Sequence, residues 1–246
     1  MQKPINILTT ILFIGIVFSS TAQEHLKHET WTALLTMYVD VEEHANYAGF
    51  KEDETALDAY LTVLSENHPQ DSWEKDDILA FWINTYNAFT VKLIVKNYPV
   101  KSIKELGGSI YKVNTPWDIK FIKIGDLEYD LNNIEHGIIR KQFEEPRIHF
   151  AVNCASISCL RLRNEAFFGS EIDAQLDDQA RYFINNPVKN KITKKCAELS
   201  KIFTWFKCYF TSNGVSVTDF INKYSEVKIT KKTKTKSLDY DWLLNE

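Results

Sequence analysis

Cys154 is the residue of this chain that best suits nucleophilic chemistry, because it directly follows an apolar run that ends at Asn153. A cysteine nucleophile needs an imidazole within hydrogen-bond reach, a group that orients the imidazole, and donors for the oxyanion. All six histidines precede Cys154, so a catalytic pair must run from histidine to cysteine along the chain. This order excludes the papain arrangement, in which the cysteine comes first.

His136 and His149 are the candidate bases. Residues 147–153 are predicted to form a buried strand, and alternation along that strand would turn His149 away from Cys154. His136 lies on a separate helix, predicted over residues 130–140, and is geometrically freer. We therefore predict His136 as the general base, with His149 as the second choice or as a hydrogen-bonded core residue.

Several readings of the two nearby cysteines compete. The turn after Cys154 would offer free N–H groups that lower the pKa of its thiol. A simply buried cysteine is the plainest alternative, because cysteine is among the most buried residue types. A disulfide between Cys154 and Cys159 would close a very short loop and leave no free nucleophile. A zinc site fits the Cys-x4-Cys spacing only loosely, so we expect neither a metal nor another cofactor.

Three asparagines are candidate substrate-binding residues: Asn84, Asn87 and Asn153. Asn84 and Asn87 lie three residues apart on the long third predicted helix, so they share a face. Buried amides need partners, and these side chains either orient groups in a site or tie the helix to a loop. Glu135 and His136 are adjacent on their helix and do not face each other, so we do not expect Glu135 to orient His136.

The remaining patterns predict an α+β fold. Apolar periodicity predicts helices over residues 24–41, 54–64, 71–98, 130–140, 171–185 and 218–224. Alternation predicts a hairpin over 121–129, strands over 147–153 and 188–192, and a solvated edge strand in the Lys/Thr run 228–236. Helices come first and strands later, which favours a helix-rich N-terminal half packed on a small, mainly antiparallel sheet formed by the C-terminal half.

The first 22 residues are typical of a secretory signal peptide, with an apolar run from Ile7 to Phe18 and small residues up to Ala22. We predict export to the periplasm or secretion, and a single domain over residues 23–246; an uncleaved N-terminal anchor is the alternative.

The formal charge of −4 rests on residues of both signs. It favours a small-molecule or peptide substrate as partner, and neither nucleic acid nor, after cleavage, a membrane.

Two further features concern stability. Cys196 and Cys208 are the preferred disulfide pair in an exported protein, because they flank a strand-like stretch away from the candidate site. The closing segment 238–245 is too rich in large apolar groups for a solvated tail. We predict that Tyr240 and Trp242 dock against the body of the protein.

Four motifs occur in a fixed order along the chain: Phe81–Ala88 (FWINTYNA), Ile134–Arg140 (IEHGIIR), His149–Cys159 (HFAVNCASISC) and Tyr240–Asn245 (YDWLLN). In these motifs the chain resembles the DUF547 family, a domain of unknown function, from about Trp31 to Asn245. Leu160 stands where similar proteins usually have proline, and Leu243 where serine is frequent. The resemblance implies no reaction.

The residues therefore favour a cysteine-dependent enzyme that transfers or hydrolyses an acyl group from an amide or thioester. The alternative is a non-catalytic peptide- or ligand-binding module with Cys154 as a packing residue. In that case four aromatic side chains would form the groove: Trp82, Tyr86, Trp117 and Trp242.

Export gives the first testable prediction. Because small residues occupy the positions that a signal peptidase recognises, we expect cleavage after Ala22. N-terminal sequencing of protein recovered from the cell envelope should then begin at Gln23. Recovery of intact Met1 in the membrane fraction would contradict cleavage.

Overall fold

The computed structural model describes residues 28–42, 44–107 and 115–246. The predicted signal peptide, residues 1–22, lies outside the described residues. The α-helices are α1 Glu29–Tyr38, α2 Tyr47–Glu52, α3 Glu54–Glu66, α4 Lys75–Asn97, α5 Arg140–Gln142, α6 Ile172–Asn185, α7 Ile202–Trp205, α8 Lys207–Phe210 and α9 Val217–Tyr224. The strands are β1 Ile122–Ile124, β2 Leu127–Tyr129, β3 Lys191–Ile192, β4 Cys196–Leu199 and β5 Lys234–Ser237.

Helix α4 is the centre of the larger core. From Leu79 to Val95 every residue except Lys92 is buried. Apolar side chains occur on all sides of the helix, which packs against α2, α3 and the helical segment Asn133–Ile139. The helix is long and apolar enough to cross a membrane, but 89% of its most apolar window is buried inside the protein, as in a core helix. It begins at Lys75, four residues later than the predicted start at residue 71, and it ends before Pro99 as predicted.

The predicted strand over residues 147–153 does not form. Pro146–Phe150 is a 3₁₀ helix, followed by a turn. Pro146 fixes the backbone angle of a first helical turn, and the Glu145 carboxylate accepts a hydrogen bond from the Arg147 backbone N–H at 2.9 Å. A short apolar run that is buried on all sides has no period that distinguishes a strand from a helical turn.

The sheets are small. β1 and β2 form the predicted antiparallel hairpin, whose turn places Gly125 at a φ of 58°. In the second sheet the central strand β4 pairs antiparallel with β3 and parallel with β5. β5 is exposed throughout and lies at the sheet edge, as the Lys/Thr run predicts. The predicted strand 188–192 is limited to Lys191–Ile192.

The α+β class is confirmed, with helices dominant in the N-terminal half and the strands in the C-terminal half, although two sheets replace the single predicted one. A second, smaller core is rich in phenylalanine, with Phe150, Phe183, Phe203, Phe210 and Phe220. The segment before Cys154 joins the two cores, because Ile148 packs into the larger and Phe150 into the smaller.

The predicted disulfide between Cys196 and Cys208 is absent, and both thiols are free. The stretch between them is not a simple strand. Cys196 begins β4, whereas Cys208 is exposed on α8, after the chain has passed through α7.

The closing segment docks on the body, as predicted. The Leu243 carbonyl accepts a hydrogen bond from the Ile157 N–H at 2.8 Å. Asn245 is buried, and its side-chain oxygen accepts a hydrogen bond from the Tyr47 hydroxyl at 2.7 Å. Trp242 packs against the larger core. The segment therefore forms part of the fold.

Truncation after Ser237 should lower the melting temperature by several degrees, because it removes the burial of one or two large side chains, each contributing about 1.5–3 kcal/mol. Thermal unfolding monitored by circular dichroism measures this change. As a matched pair, Trp242→Ala should lower the melting temperature clearly. Leu243→Ala should change it little, since Leu243 is 51% exposed. An unchanged melting curve after truncation would contradict docking.

Candidate active site

Helix α4 holds the loop that carries Cys154 through the Asn87 side chain. The Asn87 amide donates a hydrogen bond to the Ala151 carbonyl at 2.9 Å and accepts one from the Asn153 N–H at 2.8 Å. The Asn153 side chain in turn accepts a hydrogen bond from the Ala155 N–H at 2.7 Å. Ala155 has a φ of 56°, which is uncommon for a residue with a side chain and marks a tight turn after Cys154.

The side chains of the three predicted asparagines therefore form hydrogen bonds with backbone groups. Asn84 exchanges two hydrogen bonds with the Phe167 backbone, at 2.8 and 2.9 Å. Asn84, Asn87 and Asn153 are all at most 2% exposed, and they do not line the cavity described below. Their geometry favours the alternative in which the amides tie the helix to loops.

A cavity of about 180 Å³ lies beside Cys154. Its polar lining includes Glu135, His136, His149, Cys154, Cys159 and Tyr240. The sequence-predicted cysteine and both predicted histidines therefore share one cavity. The volume is below the ~300 Å³ typical of a site for a drug-sized ligand, and it suits a small group.

The Cys154 sulfur is half-buried and surrounded by hydroxyls and a second thiol. It lies 3.2 Å from the Ser156 hydroxyl and 3.2 Å from the Tyr240 hydroxyl. Ser156 donates a hydrogen bond to Tyr240 at 3.1 Å. The Cys154 backbone N–H donates to the Cys159 sulfur at 3.1 Å.

The expected lowering of the Cys154 pKa is wrong. The hydrogen bond with Cys159, together with burial, raises the pKa of the Cys154 thiol well above its usual range. Burial opposes ionisation of Cys159 too, but hydrogen bonds from the Cys154 thiol and backbone lower the pKa of Cys159. The turn that should stabilise a Cys154 thiolate instead directs its N–H groups to Asn153 and Cys159.

His136 is exposed at the rim of the cavity. Its Nδ1 lies 2.7 Å from an Arg140 guanidinium nitrogen, which can only donate, so Nδ1 accepts and the proton of the neutral ring is on Nε2. Burial and the nearby Arg140 charge lower the pKa of His136. The nitrogen that could act as a base is thus occupied.

His149 is buried and faces the cavity, because the predicted strand that would have turned it away does not form. Its ring stacks on Phe206 at 3.8 Å between centroids. Neither ring nitrogen has a hydrogen-bond partner among the described residues. Burial, with the charges of Arg140 and His136, lowers the pKa of His149 to about 3, so the ring is neutral at physiological pH. An unsatisfied buried imidazole is costly, so the ring is suited to a hydrogen-bond partner that enters the cavity, whether water or a ligand atom.

Glu135 is a site residue that the sequence argument did not select. It is buried, its Oε1 lies 3.8 Å from the His136 Nδ1 and 3.9 Å from the His149 Nδ1, and Tyr86 donates a hydrogen bond to it. Burial, and next the proximity of Cys154, raise its pKa to about 7. A glutamate among the isoleucines of the 134–139 run is the signal that could have identified it.

The local helix explains this placement. Asn133–Ile139 is a π-helix, whose wider turn brings side chains into positions that an α-helix does not offer. Asp130 begins it as predicted, since its carboxylate accepts a hydrogen bond from the Asn133 N–H at 2.6 Å.

Aromatic rings form much of the rest of the cavity wall. They come from distant parts of the chain: Tyr86, Trp117, Trp205, Phe206 and Trp242. The Tyr240 ring lies 4.4 Å from the Trp242 ring and 4.8 Å from the Trp205 ring. Three of the four aromatics predicted for a binding groove are therefore present, whereas Trp82 packs in the core against Phe81 and Tyr129.

The described ranges contain no group of three histidine, cysteine, aspartate or glutamate side chains that could hold a metal ion. Cys154 and Cys159 lie with two histidines around one cavity, but they do not converge on one point.

Comparison with known proteins identifies one family. Residues 70–184 match the family model described as "Protein of unknown function, DUF547". The chain contains a DUF547 domain. The match includes α4, the π-helix and Cys154, and it confirms the resemblance over this range, while the motif at Tyr240–Asn245 lies beyond it. No curated protein and no solved structure matches the chain.

Glu135 gives a prediction on pH and stability. Because its pKa is raised from 4.5 to about 7 in the folded protein, the folded state retains a proton that the unfolded state loses between these values. The stabilisation is complete below pH 4.5 and disappears as the pH rises through about 7. At 1.36 kcal/mol per pKa unit, the effect is on the order of 3 kcal/mol.

Denaturant unfolding at about pH 5 and pH 8 tests this effect. Relative to Glu135→Gln, the wild type should lose about 3 kcal/mol of unfolding free energy between these two pH values. His28, His136 and His149 have lowered pKa values and act in the opposite direction, but they are present in both proteins. Substitution of the exposed Glu144 by Gln is the control. An equal pH dependence in wild type and Glu135→Gln would contradict the raised pKa.

Proposed function

We propose that this DUF547 protein is an exported cysteine-dependent enzyme that transfers or hydrolyses an acyl group, acting on an amide or thioester. The observation that carries the proposal is the shared cavity: the Cys154 sulfur lines it beside the buried His149, whose two ring nitrogens have no hydrogen-bond partner among the described residues. Nucleophile and base candidates that face one small apolar cavity are the arrangement that covalent catalysis requires.

His149 suits the role of base better than His136. Neither nitrogen of the buried His149 ring has a hydrogen-bond partner among the described residues, so one of them is free to accept a proton. The corresponding nitrogen of His136 accepts a hydrogen bond from Arg140. Glu135, 3.9 Å from the His149 Nδ1, is placed to orient the ring and to stabilise the imidazolium that forms during the reaction.

The proposed first step is attack by Cys154 on the substrate carbonyl carbon. The thiol proton passes to His149 as the S–C bond forms, because the raised pKa of Cys154 leaves little free thiolate beforehand. The Tyr240 hydroxyl, 3.2 Å from the sulfur, is placed to donate a hydrogen bond to the oxyanion. Collapse breaks the bond to the leaving nitrogen or sulfur, which takes the proton from His149. Water or another acceptor then releases the acyl group from Cys154.

A binding module is the second candidate, and one observation favours it. Aromatic rings dominate the cavity wall, and Trp205 is 46% exposed beside Trp242 and Tyr240. Such a cluster offers stacking surfaces for an apolar or aromatic ligand without any chemistry. In this case Cys154 would contact the ligand or pack beside it.

A small activated ester tests the enzyme proposal, because an acetyl group suits the cavity. The protein is incubated with p-nitrophenyl acetate and digested with trypsin, and the acetyl group is located by mass spectrometry. We expect acetylation of Cys154, and a rate at least 100-fold lower in His149→Asn, the loss typical of a removed general base. His136→Asn should slow the reaction much less.

Cys208→Ser is the control for non-specific thiol acylation, because Cys208 is an exposed free thiol that does not line the cavity. A larger effect of His136→Asn than of His149→Asn would support catalysis with His136 as base. Acetylation of Cys208 without acetylation of Cys154 would contradict the enzyme proposal and favour the binding module.

A further inference from the structure

The second cysteine of the cavity has no role in acyl transfer, yet it is closely coupled to the first. The Cys159 sulfur accepts the Cys154 backbone N–H at 3.1 Å, and the two thiols are hydrogen-bonded to each other. Cys159 is 3% exposed, whereas Cys154 is half-buried and lines the cavity. One thiol is thus accessible and the other is held directly behind it.

The turn between the two cysteines is firmly held. The Cys159 N–H donates to the Ser156 carbonyl at 2.9 Å, which closes the turn. The closing segment accepts the N–H groups of Ile157, at 2.8 Å, and Ser158, at 3.2 Å. Both thiols are therefore kept at one place by backbone hydrogen bonds that do not involve sulfur.

We propose that Cys154 and Cys159 form a reversible redox site, in which a hydroperoxide oxidises Cys154 and Cys159 then closes an internal disulfide. This proposal does not depend on acyl transfer. It assigns a reversible oxidation to the two cysteines of the cavity. This assignment is the same whether the protein is an enzyme or a binding module.

The steps balance with one hydroperoxide. The thiol pair loses one proton to solvent, and the remaining proton moves from Cys154 to Cys159 as the Cys154 sulfur attacks the outer oxygen of the hydroperoxide. The O–O bond breaks, and the leaving oxygen takes a proton from solvent and departs as an alcohol or water. Cys154 is then a sulfenic acid. The Cys159 sulfur attacks the Cys154 sulfur, the S–S bond forms, and the hydroxyl leaves as water. Two electrons pass from the thiols to the peroxide, and an external dithiol returns them.

Closure would also change the cavity. The Cys154 sulfur, now bonded to Cys159, could no longer donate a proton or act as a nucleophile. Its contacts of 3.2 Å with the Ser156 and Tyr240 hydroxyls would be altered at the same time. Oxidation would therefore switch off any chemistry at Cys154 without unfolding the protein.

The native protein is treated with one equivalent of hydrogen peroxide, blocked with N-ethylmaleimide and digested with trypsin without reduction. One tryptic peptide, Ile148–Arg161, contains both cysteines, so a disulfide makes this peptide two hydrogens lighter and free of maleimide. We expect this form to appear within minutes, and dithiothreitol to restore two maleimide-reactive thiols. The exposed Cys208 should react more slowly, because it has no second thiol behind it.

Cys159→Ser should lose the disulfide and give a Cys154 sulfenic acid that dimedone traps, whereas Cys208→Ser should oxidise like the wild type. If Cys159→Ser does not fold, the wild-type peptide still decides the outcome. A peptide that keeps two maleimide groups while Cys208 is oxidised would overturn the proposal. A disulfide from Cys154 or Cys159 to Cys196 or Cys208 would overturn it as well.

Discussion

The geometry of the candidate site depends on one side chain, the amide of Asn87. It satisfies the Ala151 carbonyl and the Asn153 N–H with the two ends of one amide group, on a helix that is buried on all sides. Loss of this amide would leave two buried backbone groups without partners, at about 1–3 kcal/mol each. The loop before Cys154 belongs to neither a strand nor a long helix. The two hydrogen bonds of Asn87 therefore fix this loop in place of the backbone hydrogen bonds that a regular element would provide.

The constraint continues along the chain from Asn153 to the closing segment. Asn153 stabilises the unusual φ of Ala155, which turns the chain directly after Cys154. The following N–H groups bind the closing segment, and this brings the Tyr240 hydroxyl to the sulfur. Helix α4, the Cys154 loop and the chain end thus meet at one thiol. The residues most distant in sequence are as necessary to the site as the cysteine itself.

The sequence was sufficient for strongly patterned elements, and the three candidates Cys154, His136 and His149 line one cavity. It failed where the outcome depends on tertiary hydrogen bonds. A run buried on all sides has no period, so Arg147–Asn153 gave a false strand and with it a false orientation of His149. The N–H groups expected to stabilise a Cys154 thiolate have other acceptors. Glu135 was missed because its position in the cavity depends on a π-helix, and the only signal in the sequence was a glutamate within an isoleucine-rich run.

Burial determines the protonation states around the cavity, and these restrict its chemistry. A preformed thiolate–imidazolium pair needs an imidazole that holds a proton near neutral pH, but the pKa of His149 is lowered to about 3. It also needs a thiol with a lowered pKa, whereas the pKa of Cys154 is raised. Glu135, with a pKa of about 7, changes charge near neutrality. At neutral pH the cavity thus holds a neutral imidazole and a neutral Cys154 thiol beside a carboxyl group that titrates near pH 7. Any nucleophilic attack by Cys154 must move its proton as the new bond forms, so a substrate carbonyl has to be in place before the thiol is activated.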